Sequence, residues 1–325
     1  MLNNNLLKYS SSPHIKAPHG TKWIMLNVCI ALLPACIMGV IYFGLYALLL
    51  LALSVLSAVL AEVIFLLCIG KKFNEIIKSF DFTSCVTGLL MGMTLGTNYP
   101  WYSPIFGSFF AIIVVKMLFG GTGKNLVNPA IAGRIFIFIS FQSVVAEWVT
   151  PTLFTTGEIT TGATALVNLL ENGLLSISNF NLFFGIGVAG CIGETCKIAL
   201  LVGAIYLAIL KIIDIRYPLI YVAVTGLFTV CLNGFNFEYF LPSILSGGLI
   251  IGAFFMATDY VTTPNTKLGN YIYFILLGLI TAGLRQATKM EVISFAIMLM
   301  NLVIPLLDKF IIPKPFGYKK QREVK

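Results

Sequence analysis

Charge of either sign is scarce in this chain: Asp, Glu, Lys and Arg together make up 10% of 325 residues, with 13 acids set against 21 bases. Histidine is rarer still, at two residues, His14 and His19. A pair of imidazoles without other ligands is too few for a metal site, so no metal is expected and solvation or contact with a partner is their reading. Seven cysteines, Cys29, Cys36, Cys68, Cys85, Cys191, Cys196 and Cys231, form no C-x-x-C pair and fall mainly in apolar runs. They read as small buried hydrophobes rather than as disulfides or iron–sulfur ligands. The period-2 alternation of a membrane barrel is absent. Nor do the first twenty residues hold an apolar core followed by a small-residue cleavage site, so no removable signal peptide is expected. "GGTGKN" lacks the spacing of G-x-x-x-x-G-K-[ST] and follows no strand, so it is no nucleotide-binding fingerprint.

What the chain does have is oil. It is 58% hydrophobic, with a mean hydropathy of +0.94, too much for one soluble core. An α-helix needs roughly 17–25 apolar residues to cross about 30 Å of hydrocarbon. Runs suited to helices lie at Trp23 to Phe43, Leu45 to Ile69, Phe82 to Thr97, Trp101 to Phe119 and Ile131 to Val145. Five more lie at Glu194 to Ile213, Pro218 to Leu232, Phe240 to Ala257, Tyr271 to Leu284 and Val292 to Ile312. The expected fold is therefore an all-α polytopic membrane protein of about ten transmembrane helices, some of them broken or half helices. Residues 1–22 form a leader, 23–145 a first helical half, 146–193 an intervening loop with a half helix, 194–312 a second half and 313–325 a basic tail.

The bases orient these spans. Lys8, Lys16 and Lys22 precede the first; Lys71, Lys72 and Lys78 follow the second; Lys124 follows the fourth; Lys211 and Arg216 follow the sixth; Lys267 follows the eighth. Lys314, Lys319, Lys320, Arg322 and Lys325 close the chain. With ten spans all these loops share one side, which the positive-inside tendency makes cytoplasmic, together with both termini. This scatter of bases along membrane loops also argues against a nucleic-acid partner. The segment from Ala146 to Phe180 holds Glu147, Glu158 and Glu171 but no base, and faces outward. Trp23, Trp101 and Trp148 fall at span ends and read as interfacial anchors.

Three polar, Gly-rich runs press against the apolar segments: "GGTGKNLVNP" from Gly120, "GIGVAGCIGET" from Gly185 and "ATDYVTTPNT" from Ala257. Lipid does not satisfy backbone N–H and C=O groups, so such runs belong inside the protein or along a polar cavity. "VTGLL" at Val86 recurs as "VTGLF" at Val224, and Pro104 and Pro242 keep the same offset. Internal duplication and chance both account for these short matches. Glu62, Lys116, Arg134, Glu194, Lys197, Asp259 and Arg285 lie in or beside apolar segments, where each charge costs roughly 2.5–3.5 kcal/mol on insertion scales. Lys116 and Arg285, near span ends, are expected to snorkel. Asp259 and Glu194 stand in hydroxyl-rich breaks where carbonyls join a carboxylate in holding a cation; they are expected to line an ion path or a cofactor pocket, the other reading being the pairing of loops.

In the outward loop, "EITTGATAL" (Glu158 to Leu166) is a run of hydroxyls and small residues with no aliphatic face. It resembles the flavinylation signal Asp-x-x-(Ser/Thr)-Gly-Ala-Thr, with Glu158 in place of the usual Asp. "SSPHIKAPHGTKWIMLNVCIALLPA" from Ser11, "GGTGKNLVNPAIAGRIFIFISF" from Gly120, "GCIGETCKIALLVGAIYL" from Gly190 and "FFMATDYVTTPNT" from Phe254 are similar to blocks of the D subunit of Rnf electron-transport complexes. The likeness runs from about Ser11 to Pro313. The B subunit of sodium-pumping NADH:quinone reductases shares several blocks but carries a longer N-terminal extension.

The resemblance implies a ten-helix component of an ion-translocating oxidoreductase in a bacterial or archaeal cytoplasmic membrane. It implies FMN joined through a phosphoester to Thr164, outside the membrane, by a separate flavin transferase. Partner subunits bearing flavin and iron–sulfur centres would pass electrons through it, driving Na+ or H+ outward. A channel or secondary transporter for a small solute, without flavin, is the alternative from another class.

Overall fold

The structure is a computed structural model that describes residues 19–142, 148–151, 161–162, 164–173 and 178–312. His14, Glu147, Glu158, Ala163, the leader lysines Lys8 and Lys16 and the bases of the C-terminal tail lie outside the described residues.

A helix or helix pair stands at each of the ten expected apolar runs. Helices α1 (Thr21–Phe43) and α2 (Leu45–Cys68) match their runs within two residues, because Gly44 ends one and starts the other. Its φ of +79° permits the reversal without a Cβ clash. Next come α3 (Phe73–Ser79), a short helix in the basic loop, α4 (Thr83–Met93), α5 (Ser103–Met117) and α6 (Pro129–Ser140). After the polar segment, α7 (Ala165–Asn172) and α8 (Asn179–Phe184) lead into α9 (Lys197–Ile209) and α10 (Arg216–Leu232). The eighth expected span is bent by 70° into α11 (Phe237–Leu245) and α12 (Leu249–Met256), and α13 (Lys267–Thr288) and α14 (Ile293–Phe310) complete the fold. Among the described residues four helices, α1, α2, α13 and α14, are long and apolar enough to cross a membrane; the bent pair passes the same test as one span, and the other apolar helices are shorter.

The packing is that of a protein in lipid. On α2, Ser54 and Ala58 are fully buried whereas Leu56 and Leu60 are more than half exposed. Small residues face inward, where they let backbones approach, and leucines face outward. A Cβ on Gly88 of α4 would stand 2.8 Å from the Ser54 carbonyl oxygen, and Ser54 Oγ in turn donates to the Gly88 carbonyl at 2.5 Å. At Gly203 of α9 an added Cβ would collide with the Ala31 carbonyl of α1.

The polar runs find their partners inside the protein. Ile192 N–H donates to the Leu95 carbonyl (2.9 Å) and Gly193 N–H to that of Met93 (2.7 Å), docking the 185–196 turn on the end of α4. Both α5 and α12 finish in wider, i to i−5 winding, shown by Leu118 N–H to Ile113 O and Ala257 N–H to Gly252 O. Each leads into a polar loop that ends in a side-chain cap, Asn128 on α6 and Thr266 on α13. The caps stand at the same distance after the matched prolines Pro104 and Pro242, so the two halves repeat one local plan beyond the short sequence matches.

Candidate functional site

Thr164 enters the fold through a two-residue hairpin. Trp148–Val149 pairs antiparallel with Thr161–Gly162, setting Trp148 opposite Gly162. Two residues later Thr164, in extended backbone, caps α7: its hydroxyl accepts from Val167 N–H at 3.4 Å. The residue is 6% exposed and lines a cavity of about 500 Å³ with Tyr99, Arg134, Phe138, Trp148 and Glu291. Trp148 rests over Gly96, where a Cβ would come within 3.3 Å of its ring. The interfacial-anchor reading of this tryptophan misses its place in the wall of the cavity; the pairing across the hairpin is the only cue, and it lies outside local sequence.

Beneath the cavity, side chains distant in sequence form one charged layer. Glu194 Oε1 accepts from Cys191 N–H at 3.0 Å, while Oε2 is buried without a hydrogen-bond partner. Lys197 donates to the carbonyls of Glu194 and Gly247, the latter at 3.1 Å, across the break between α11 and α12. Arg285 donates to the carbonyls of Ser243 (3.0 Å) and Ser246 (3.4 Å) and forms a forked ion pair with Glu291 at 3.0 and 3.2 Å. Arg134, 8% exposed, reaches Cys191 Sγ at 3.9 Å. Sequence does not single out Glu291, which reads there as a loop acid near a span end. The seven cysteines are free thiols, Cys191 the one within this layer.

The snorkelling expected of Arg285 and Lys116 does not occur: each is 2% exposed. The physical reason is the presence of inward partners. Lys116 donates to both carboxylate oxygens of Glu62 (3.1 Å) and to the Thr83 hydroxyl. Thr83 and Thr122 in turn donate to Asp81, at 2.6 and 2.9 Å. Burial works to raise the Asp81 carboxyl, but these hydrogen bonds and the Lys116 charge hold it below the usual range.

Asp259 belongs to a second, larger cavity of about 790 Å³, shared with Lys116, Thr122, Asn128 and Phe254. It accepts from the Thr262 hydroxyl at 3.2 Å, and burial pushes its carboxyl above the usual range against such hydrogen bonds. The structure thus separates the two carboxylates that sequence grouped: Asp259 lines the larger cavity and Glu194 lies with the charged layer under the smaller.

Outward-facing leucines around buried ionisable groups define a multi-pass α-helical membrane protein with two cavities whose largely apolar walls include ionisable side chains. The chain belongs to the NQR2, RnfD, RnfE family, whose model matches residues 8–317. It is 40% identical over 322 residues to the D subunit of the Na(+)-translocating ferredoxin:NAD(+) oxidoreductase complex of Acetobacterium woodii, covering 98% of each chain. It is 34% identical to the D subunit of the proton-translocating ferredoxin:NAD(+) oxidoreductase complex of Clostridium ljungdahlii, again over 98% of each. The D subunit of the ion-translocating oxidoreductase complex of Stutzerimonas stutzeri is 32% identical over 90% of this chain and 91% of its own.

Proposed function

We propose that this chain is the D subunit of an ion-translocating ferredoxin:NAD oxidoreductase complex, that it bears FMN as a phosphoester on Thr164, and that electron passage through it drives Na+ or H+ outward. The observation that carries this reading is the Thr164 hydroxyl, set at the N-terminus of α7 and in the wall of an aromatic-lined cavity. The residues suit the group. A phosphate on Thr164 Oγ would meet the first turn of α7, where the Val167 N–H already points at the hydroxyl, and the positive end of the helix dipole. Trp148, Tyr99 and Phe138 line the cavity and would shield a flat heteroaromatic ring from water. FMN supplies a reversible electron carrier whose electronics are set by its surroundings, since the phosphate link leaves the ring unmodified.

In this reading the ten apolar segments cross the membrane with both termini cytoplasmic. Thr164 lies outside, where a flavin transferase modifies it. Other members of the complex deliver and collect electrons. Asp259 and Glu194 line the ion route, each offering a carboxylate beside hydroxyls or carbonyls. The relatives' names divide between Na+ and the proton, and the reading includes both.

The test coexpresses the chain with a flavin transferase and views the denatured protein under ultraviolet light. The wild type is expected to fluoresce and to gain the mass of FMN, and Thr164→Val to do neither. Electron transfer with unchanged ion dependence in both Asp259→Asn and Glu194→Gln would remove the ion route. The larger cavity favours one other reading, a flavin-free solute transporter. A dark wild-type band with solute uptake selects it.

A further inference from the structure

Among the buried cations of the charged layer, Arg134 stands apart by what it lacks. Lys197 is met by carbonyl oxygens, and Arg285 by carbonyls and a carboxylate. Arg134, also buried, has among the described residues one hydrogen-bond acceptor, the Cys191 sulfur at 3.9 Å, a weak one; the Glu194 and Glu291 carboxylates favour its charge but do not reach ion-pair distance. It forms no ion pair with Glu194 or with Glu291, whose carboxylate is committed to Arg285. A guanidinium carries donors in a rigid planar fork, and removing it from water without acceptors is costly. Arg134 nevertheless lines the same cavity as Thr164, Trp148 and Tyr99.

We infer that Arg134 is a positioning residue for the flavin anchored on Thr164: its fork receives the carbonyl and ring-nitrogen edge of the isoalloxazine, and its charge favours the electron-rich form. The inference rests on the Thr164 reading. A planar heteroaromatic with adjacent oxygen and nitrogen acceptors supplies what the fork is missing. Each added electron places negative charge in a low-dielectric site, where a fixed cation raises the affinity for it. A charge near the flavin's N1 edge is a recognised means of tuning such a group. Glu291 lines the same cavity and works in the opposite direction, its effect muted by Arg285.

The experiment uses the full chain coexpressed with a flavin transferase, first scored for a fluorescent band, then titrated spectroelectrochemically. A dark wild-type band overturns the Thr164 reading, and this inference with it. With a fluorescent wild type, Arg134→Gln is expected to remain fluorescent but to hold the electron about tenfold less tightly, a midpoint lower by about 59 mV for a one-electron step. Arg134→Lys keeps the charge without the fork and is expected to fall less. Glu291→Gln is expected to raise the midpoint. An unchanged midpoint in fluorescent Arg134→Gln overturns the inference. If that variant does not accumulate, an unchanged midpoint and an unchanged flavin absorption band in fluorescent Arg134→Lys do so.

Discussion

At the scale of single residues, the membrane interior makes an unpaired charge more expensive than a paired one, and that difference orders the structure. Lys116 keeps its ammonium inside because Glu62 and Thr83 reach it, with the lysine side chain 3% exposed and the glutamate 12%. Removing one member strands the other. Glu62→Gln is expected to destabilise the protein by about 3–5 kcal/mol, and the apolar double change Lys116→Met with Glu62→Leu to recover much of that loss. Denaturant titration in micelles separates these outcomes: a double variant as unstable as the single one would show that the pair is not the unit. Sequence could name Lys116 as costly but not its partner, since Glu62 sits 54 residues away on another helix.

At the scale of elements, breaks matter more than spans. The expected helix from Glu194 begins only at Lys197, because Glu194 turns back to accept from Cys191 N–H. The expected span from Phe240 to Ala257 bends at Ser246–Gly248, where Gly247 has a φ of +67° and Glu291 crowds the place of a Cβ. The end of α4 gives way at Thr94 to a loop that receives the 185–196 turn. The start of α7 has a consequence for maturation. Thr164 is buried and bound as a helix cap, so the proposed flavinylation requires a transferase that acts before that turn closes or opens it. Chain already folded in membranes is therefore expected to gain FMN more slowly than chain coexpressed with the enzyme, as followed by band fluorescence over time. A Ser at 164 keeps the capping hydroxyl, whereas Val forfeits about 1 kcal/mol of cap.

At the scale of the whole molecule, topology has two built-in reporters. Cys68, the last residue of α2, and Cys231, near the end of α10, are exposed thiols. With the termini cytoplasmic and ten crossings, Cys231 lies at the outer surface and Cys68 at the inner. A membrane-impermeant thiol reagent added to intact cells is expected to label Cys231, and Cys68 only after lysis; the reverse pattern would invert the orientation and put Thr164 inside. The repeated plan from Pro104 and from Pro242, each with a widened helix end, a polar loop and a capping side chain, gives the molecule its paired breaks.

Sequence by itself settled where the helices stand, because an apolar run in lipid has no way to satisfy its backbone except by coiling on itself. Through a resemblance to the flavinylation signal of a known family, it also singled out Thr164 as a candidate anchor. Only the tertiary structure decided what surrounds that hydroxyl: Trp148 across a hairpin, Tyr99 after α4, Arg134 on α6 and Glu291 after α13. It alone also moved Lys116 and Arg285 from the interface to the interior. Those relations depend on which buried charge finds which partner, and burial energy is shared among residues that the chain keeps far apart.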